Sequence, residues 1–158
     1  MALKADRHEL QTDISFFMNE VASRGGVACF STAGSGAAMD SNKALVTYAA
    51  TPSGSVPAGL LLNDMVNIDQ TRQHINWHKD EVQKGGKVTL LTAGWVVTDR
   101  VYPGHTPAVG NVAYVHHSGY IGNAVVGGHS TTNLAVGRFI SKKYEDGYAK
   151  VSISLPNA

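Results

Sequence analysis

Hydrophobic and polar positions alternate most regularly near the end of the chain. There Val151, Ile153 and Leu155 are interleaved with Lys150, Ser152 and Ser154. A period of two sends one set of side chains into a core and the other into water, so AKVSISL predicts a strand buried on one face. Before it, LAVGRFIS predicts a partner strand with Phe139 and Ile140 as packing residues, and Glu145-Asp146-Gly147 supplies the turn. GKVTLLTAGWVVTDRV reads as two strand halves hinged at Ala93-Gly94; in the second, Trp95 and Val97 alternate with Val96 and Thr98. NVAYVHHSG, GVACFST and ALVTYAA predict further strands, and AGLLLNDMVNID is apolar with Leu60, Leu62 and Met65 as core candidates. Between them lie AGSGAAMDSNK, TPSGSVP, YPGHTPAVG and YIGNAVVGGHSTTN, rich in the Gly, Pro, Ser and Asn that turns use. Short strands about ten residues apart with turn signals between them predict a mainly β fold, a small β-barrel or β-sandwich.

Two stretches break this rhythm. The first dozen residues are polar and without periodicity, as in an extended arm. Then DISFFMNEVASRGG fits two patterns. Ile14, Phe17, Met18 and Val21 share a helix face, while Ile14, Phe16 and Met18 share a strand face. Asp13 is a fair helix cap and Gly25-Gly26 a fair stop; the β-rich remainder tips the reading towards strand. The other exception, QTRQHINWHKDEVQKGG, is polar and tolerates a short helix, and is read as a surface excursion. The expected organisation is an arm or first segment at 1–22 and one β-rich domain at 23–158.

Composition narrows the function. The 158 residues include 17 glycines, and 13 basic residues are scattered among 12 acidic ones for a net charge of +1. Apart from Lys142-Lys143 no basic cluster stands out, so no nucleic-acid partner is expected. No apolar run is long enough for a membrane-spanning helix, and MALKADRHELQTD lacks the apolar core of a signal peptide. The single cysteine, Cys29, sits in the apolar run GVACFS and reads as a small buried hydrophobe in a reducing compartment.

Candidate chemistry is thin. His74 and His78 have helical spacing, but Ile75 stands where a zinc protease needs glutamate, and HEL at 8–10 lacks a second histidine. His116 and His117 are adjacent, so on a strand they point to opposite faces and cannot chelate one ion together. A combined site from His74, His78, His105 and one of that pair stays open on sequence grounds, though nothing demands it. The serines of GSG at 34–36 and SGS at 53–55 lack the surroundings of a nucleophile, and VVGGHSTTN lacks the lysine of a phosphate loop. The carboxylates Asp64, Asp69, Asp80 and Glu81 form no acid–base pair by pattern. Trp95 and Tyr114 read as core; Tyr144 and Tyr148 flank the Glu-Asp-Gly turn. No catalytic residue, metal or cofactor is expected.

Taken in order, GGKVTLLTAGWVVTD, GNVAYVHHSGYIGN, AVGRFIS and EDGYAKVSISLP resemble the C-terminal half of tailed-phage head decoration (capsid cement) proteins, over roughly 85–156. LKADRHELQTDISFFMNEVASRGGVACFSTAGSG looks like the start of such proteins, including those of phages with cyanobacterial hosts. The excursion at 67–84 departs from the smallest members. The resemblance implies a non-enzymatic virion protein, made in the host cytoplasm and placed on the outer surface of the capsid. Its implied partner is the major capsid protein, and its implied state a homo-oligomer, with a trimer favoured. Ile14, Phe16, Phe17 and Met18, where the polar start turns abruptly apolar, are the candidate capsid contacts, with plain core as the competing reading. The rival readings are a tail-tube or head–tail connector subunit, a carbohydrate-binding module, and a metal-dependent β-barrel protein.

Overall fold

A computed structural model describes residues 2–31, 45–64, 68–69, 73–74, 81–126 and 134–155. Its strands are β1 (Leu3–Met18), β2 (Ala22–Ser23), β3 (Val27–Phe30), β4 (Leu45–Thr47), β5 (Pro57–Asp64), β6 (Ile68–Asp69) and β7 (Gln73–His74). They continue as β8 (Glu81–Val82), β9 (Lys87–Thr98), β10 (Val112–Val115), β11 (Ile121–Gly122), β12 (Ala135–Phe139) and β13 (Ala149–Ser154). Nine of them form one sheet in the order β1-β4-β3-β5-β9-β13-β12-β10-β11, and β1 pairs again with β9. The expected mainly β fold is what the chain adopts.

β9 organises the molecule. β1 runs antiparallel along one of its edges from Phe17↔Lys87 to Leu3↔Thr98. The other edge is shared: β5 takes Val88 to Leu91, and β13 takes Ala93 to Thr98. Because β1 also pairs with β4, the ladder β1–β4–β3–β5–β9 returns to its starting strand. The remaining strands, β13, β12, β10 and β11, extend from the upper half of β9.

Two apolar clusters result. The smaller one gathers Met18, Ala28, Val46, Leu61, Val88 and Leu90 from the strands of the ring with Tyr48 just after β4, and Ala22 and Val82 join it from the paired β2 and β8. The larger one takes the opposite faces of β3 and β5 (Val27, Cys29, Leu60, Leu62) with Val115, Val136, Phe139, Val151 and Ile153. β3 and β5 therefore divide two cores, which explains why GVAC and GLLL are continuous apolar runs rather than alternating ones. Leu60 and Leu62 share one face and Leu61 takes the other, the ordinary alternation of a strand.

The hinge at Ala93-Gly94 lies inside one unbroken strand. Below it, even-numbered Val88 and Leu90 face the smaller cluster and Leu91 the larger; above it, even-numbered Val96 faces the larger. The phase slips because β1 and β9 each carry an extra residue between the pairs Glu9↔Gly94 and Thr12↔Leu91. Gly94 has φ +142, and a Cβ there would come 2.1 Å from the His8 carbonyl oxygen. Only glycine lets β1 approach so closely.

The polar start is not separate from this sheet. Residues 4–12 belong to β1 and are exposed on both faces, which removes the alternation that marks a half-buried strand. DISFFM adopts the strand alternative, with Met18 fully buried. The turn before β13 forms as expected: the Gly147 N–H donates to the Tyr144 carbonyl (3.0 Å) and the Tyr144 N–H to the Tyr148 carbonyl (2.9 Å). Two expected core residues differ, and a third is only partly buried. Ile140 is 42% exposed, because its neighbour Phe139 takes the inward position. Trp95 is half-buried on the outer face beside His8 (ring centroids 6.3 Å), with Lys150 Nζ 3.3 Å from its centroid. Tyr114 is partly buried against the larger cluster. Met65 lies outside the described residues, and β6–β7 and β8 place the described parts of the polar excursion in extended pairs.

Candidate functional site

The four contact candidates divide by face. Met18 has no exposed surface and belongs to the smaller cluster, so it is a core residue with nothing to offer a partner. Phe16 packs partly against that same cluster and also meets Phe30, with ring centroids 5.5 Å apart. Phe30 lies on β3 in line with Ala28, pairs with Val46, and is 49% exposed. The two rings thus cover one end of the closed ladder. Beside them Val56, 51% exposed, accepts the Phe30 N–H at 3.0 Å. Phe17 points the other way, and Lys87 Nζ sits 5.5 Å from its ring centroid.

Ile14, 49% exposed, lies where β1 slips register against β9 between Asp13 and Phe16. The Asp13 carboxylate accepts the Ser15 N–H (2.7 Å), an Asx turn that makes this slip. A second slip surrounds Leu10, 71% exposed. Bulges re-aim side chains, and here each of these irregular places holds a large apolar residue facing solvent. Phe30 and Val56 escaped the sequence reading, since nothing in ACFS or GSVP distinguishes a ring end from a ring interior.

The histidines gather differently from any pattern in the sequence. After β9 the chain turns through Tyr102 and His105, and β10 ends at Val115, just before His116-His117. Tyr102 and His116 stack with centroids 3.6 Å apart; His105 lies 5.1 Å and His117 4.9 Å from His116, both edge-on. The adjacent pair reaches one junction because the strand has ended: His116 is extended, and Ser118 takes the left-handed conformation at φ 54. His117 Nδ1 bonds the Ala50 carbonyl (2.8 Å), and His105 Nδ1 accepts the Asn123 N–H (3.3 Å). His116 is 6% exposed and its Nδ1 is buried without a partner. Burial first, then the neighbouring imidazoles His105 and His117, push its pKa down to about 4.

Tyr48 locks the junction to the ring. Its hydroxyl donates to the Ser23 carbonyl (2.5 Å) and accepts the Gly26 N–H (3.0 Å), while Gly119 packs flat on its ring. A Cβ at Gly119 would fall 2.6 Å from that ring. Arg100 lies over Tyr120 at 4.9 Å and over Tyr48 at 5.7 Å.

Among the described residues, no three His, Cys, Asp or Glu side chains are placed to hold a metal ion. His78, Asp80 and the serine of GSG at 34–36 lie outside the described residues, as does the VVGGHSTTN stretch from 127 to 133. For His74 and Asp69 the structure gives their place in the β6–β7 pair. Cys29 is buried, and burial pushes its thiol up to about 12, so the nucleophilic thiolate is suppressed. Ser55 lies in a turn closed by its N–H to the Pro52 carbonyl (3.0 Å). Tyr144 is 53% exposed, and Tyr148 carries Lys4 Nζ 4.3 Å from its ring centroid.

No protein-family model matches the chain, and no curated protein matches it either.

Proposed function

We propose that the chain is a virion structural protein that decorates the expanded capsid of a tailed phage and strengthens it by binding the major capsid protein lattice. The observation that carries this reading is the exposed apolar end of β1 and β3. There the rings of Phe16 and Phe30 meet at 5.5 Å, Val56 is bonded through its carbonyl to Phe30, and Ile14 lies two residues before Phe16 on β1. Ile14, Phe30 and Val56 are each about half exposed. Exposed apolar side chains grouped at one place mark contact surfaces. The ordered series of segments over roughly 85–156, which resembles head decoration proteins, supplies the class of partner. A protein that binds the expanded lattice and not its precursor stabilises the expanded state by mass action. A trimer meeting the shell three times gains through effective concentration, so each contact can be small.

The test measures binding to expanded, undecorated heads. Ile14→Ser with Phe30→Ser is expected to keep the thermal midpoint within a few degrees and to weaken binding tenfold or more. Wild-type binding by the folded double variant would remove this surface from the proposal. Purified protein that forms rings or tubes, rather than monomers or trimers, would favour a tail-tube or connector subunit instead.

A further inference from the structure

The loop after β9 is held down by aromatic and imidazole rings. Tyr102 stacks on His116, and His105 packs edge-on against both, at 5.2 Å and 5.1 Å. The backbone joins the same pieces: Tyr102 N–H to the Ile121 carbonyl (2.9 Å), His105 N–H to the Tyr102 carbonyl (3.1 Å) and His116 N–H to the Tyr120 carbonyl (2.7 Å). His105 also faces the other way, into an open cleft of about 480 Å³ lined by Thr106, Pro107, Lys142, Lys143, Tyr144 and Glu145.

The charges around this junction are one-sided. The ionisable neighbours that act on His116 are His105 from the loop and His117 from its own turn. Tyr102 and Tyr120 add neutral rings, with Arg100 lying over Tyr120. One carboxylate, Glu145, lines the cleft on the far side of His105, together with Lys142 and Lys143. An imidazolium at His116 would therefore lose water, meet two further imidazoles, and find no acceptor for its buried Nδ1. A neutral ring fits the same place through stacking alone.

We propose that Tyr102, His105, His116 and His117 form an acid-sensitive latch, which holds the 102–107 loop on the β10–β11 turn when neutral and releases it on protonation. Release frees the loop wall of the cleft beside Lys142 and Lys143. The folded-state pKa of His116 is depressed, so its neutral form stabilises the closed latch fully above about pH 6.5. That stabilisation is lost as pH falls from 6.5 through about 4. With an ordinary pKa in the open state, linkage lowers the closed-to-open ratio about 30-fold between pH 7.5 and pH 5.

The experiment is amide exchange on the full chain at pH 7.5 and pH 5, corrected for intrinsic rates, alongside an NMR titration of the imidazole carbons. The amides of Tyr102, His105 and His116 are expected to open about 30-fold more often at pH 5, while those of Leu61 and Val151 stay unchanged. His116→Phe keeps a flat ring under Tyr102 and is expected to abolish the acid response. His105→Gln removes one repelling imidazole and is expected to raise the His116 midpoint. Should His116→Phe fail to fold, the wild-type titration and His105→Gln still decide. The latch is overturned if junction and core amides accelerate together, if His116 titrates near 6.5, or if folded His116→Phe keeps the wild-type acid response.

Discussion

β5 and β13 share one edge of β9, yet they are buried in opposite ways. Leu60, Leu61 and Leu62 of β5 are all fully buried, with Leu61 facing the smaller cluster and the other two the larger. In β13, Val151 and Ile153 are buried while Lys150, Ser152 and Ser154 face outward. The strands differ in the number of layers around them, since β5 is a wall of the closed ladder with packing on both sides. Burial of a leucine side chain is worth roughly 1.5–3 kcal/mol, so a strand walled on both faces concentrates stability in few residues. The boundary falls at Thr92, two residues before Gly94, because there β9 exchanges one partner for the other, and across this stretch it changes the face it presents to the larger core.

Gly94→Val should break the comparison most completely. Its Cβ would collide with the His8 carbonyl, and φ +142 is strained for any branched side chain. The expected outcome is loss of cooperative thermal unfolding, followed by circular dichroism. A folded variant with the wild-type midpoint would show that β1 need not lie against this point.

Next in size are the leucines of β5. Leu60→Ala and Leu61→Ala should each cost about 2–5 kcal/mol in denaturant unfolding. Although adjacent, their side chains enter different clusters. Their double variant should therefore lose the sum, with a coupling below about 0.5 kcal/mol. A larger coupling would mean that the two clusters act as one core and that β5 divides nothing.

The same two strands show what the chain discloses before folding. The alternation in KVSISL and the unbroken GLLL announce one-sided and two-sided burial, so the β class, the hinge and the last hairpin are all legible. β1 is legible only where Phe16 and Met18 turn inward, because a strand exposed on both faces has no hydrophobic period to reveal it. Trp95 misleads since a large aromatic ring reads as core, while its outward position follows from Val96 taking the inward one. At the candidate contact surface, Ile14 and Phe16 stand out in the sequence, but Phe30 and Val56 join them through pairing between distant segments. The imidazole junction was hidden for a related reason. Adjacent histidines diverge on a strand, and here the strand ends before them at Val115.

Gly147 offers a milder test than Gly94. It too is left-handed, at φ +87, yet a Cβ there meets nothing within 4 Å. Gly147→Ala should therefore cost only backbone strain, about 1–2 kcal/mol, and the β-branched Gly147→Val somewhat more. Both are read from unfolding curves. If Gly147→Val proves as damaging as Gly94→Val, the turn is part of a tighter structure than its open surroundings indicate.

The smallest expected effect asks whether the outer face of β13 is as bare as its one-sided burial suggests. Lys150 places its ammonium 3.3 Å from the Trp95 centroid, and its ion pair with Asp6 is long, at 4.0 Å with Asp6 68% exposed. A cation over an indole contributes about 0.5–1 kcal/mol at such a site, whereas an exposed pair of that length contributes little. Lys150→Met keeps the aliphatic stem over the ring and removes only the charge. It should lose about 0.5–1 kcal/mol, with little dependence on salt, while Asp6→Asn changes nothing measurable. Equal losses from the two variants, both erased by salt, would instead assign the contact to the ion pair. The outer face of β13 would then be held by charge alone, and its contrast with β5 would be sharper than the packed indole implies.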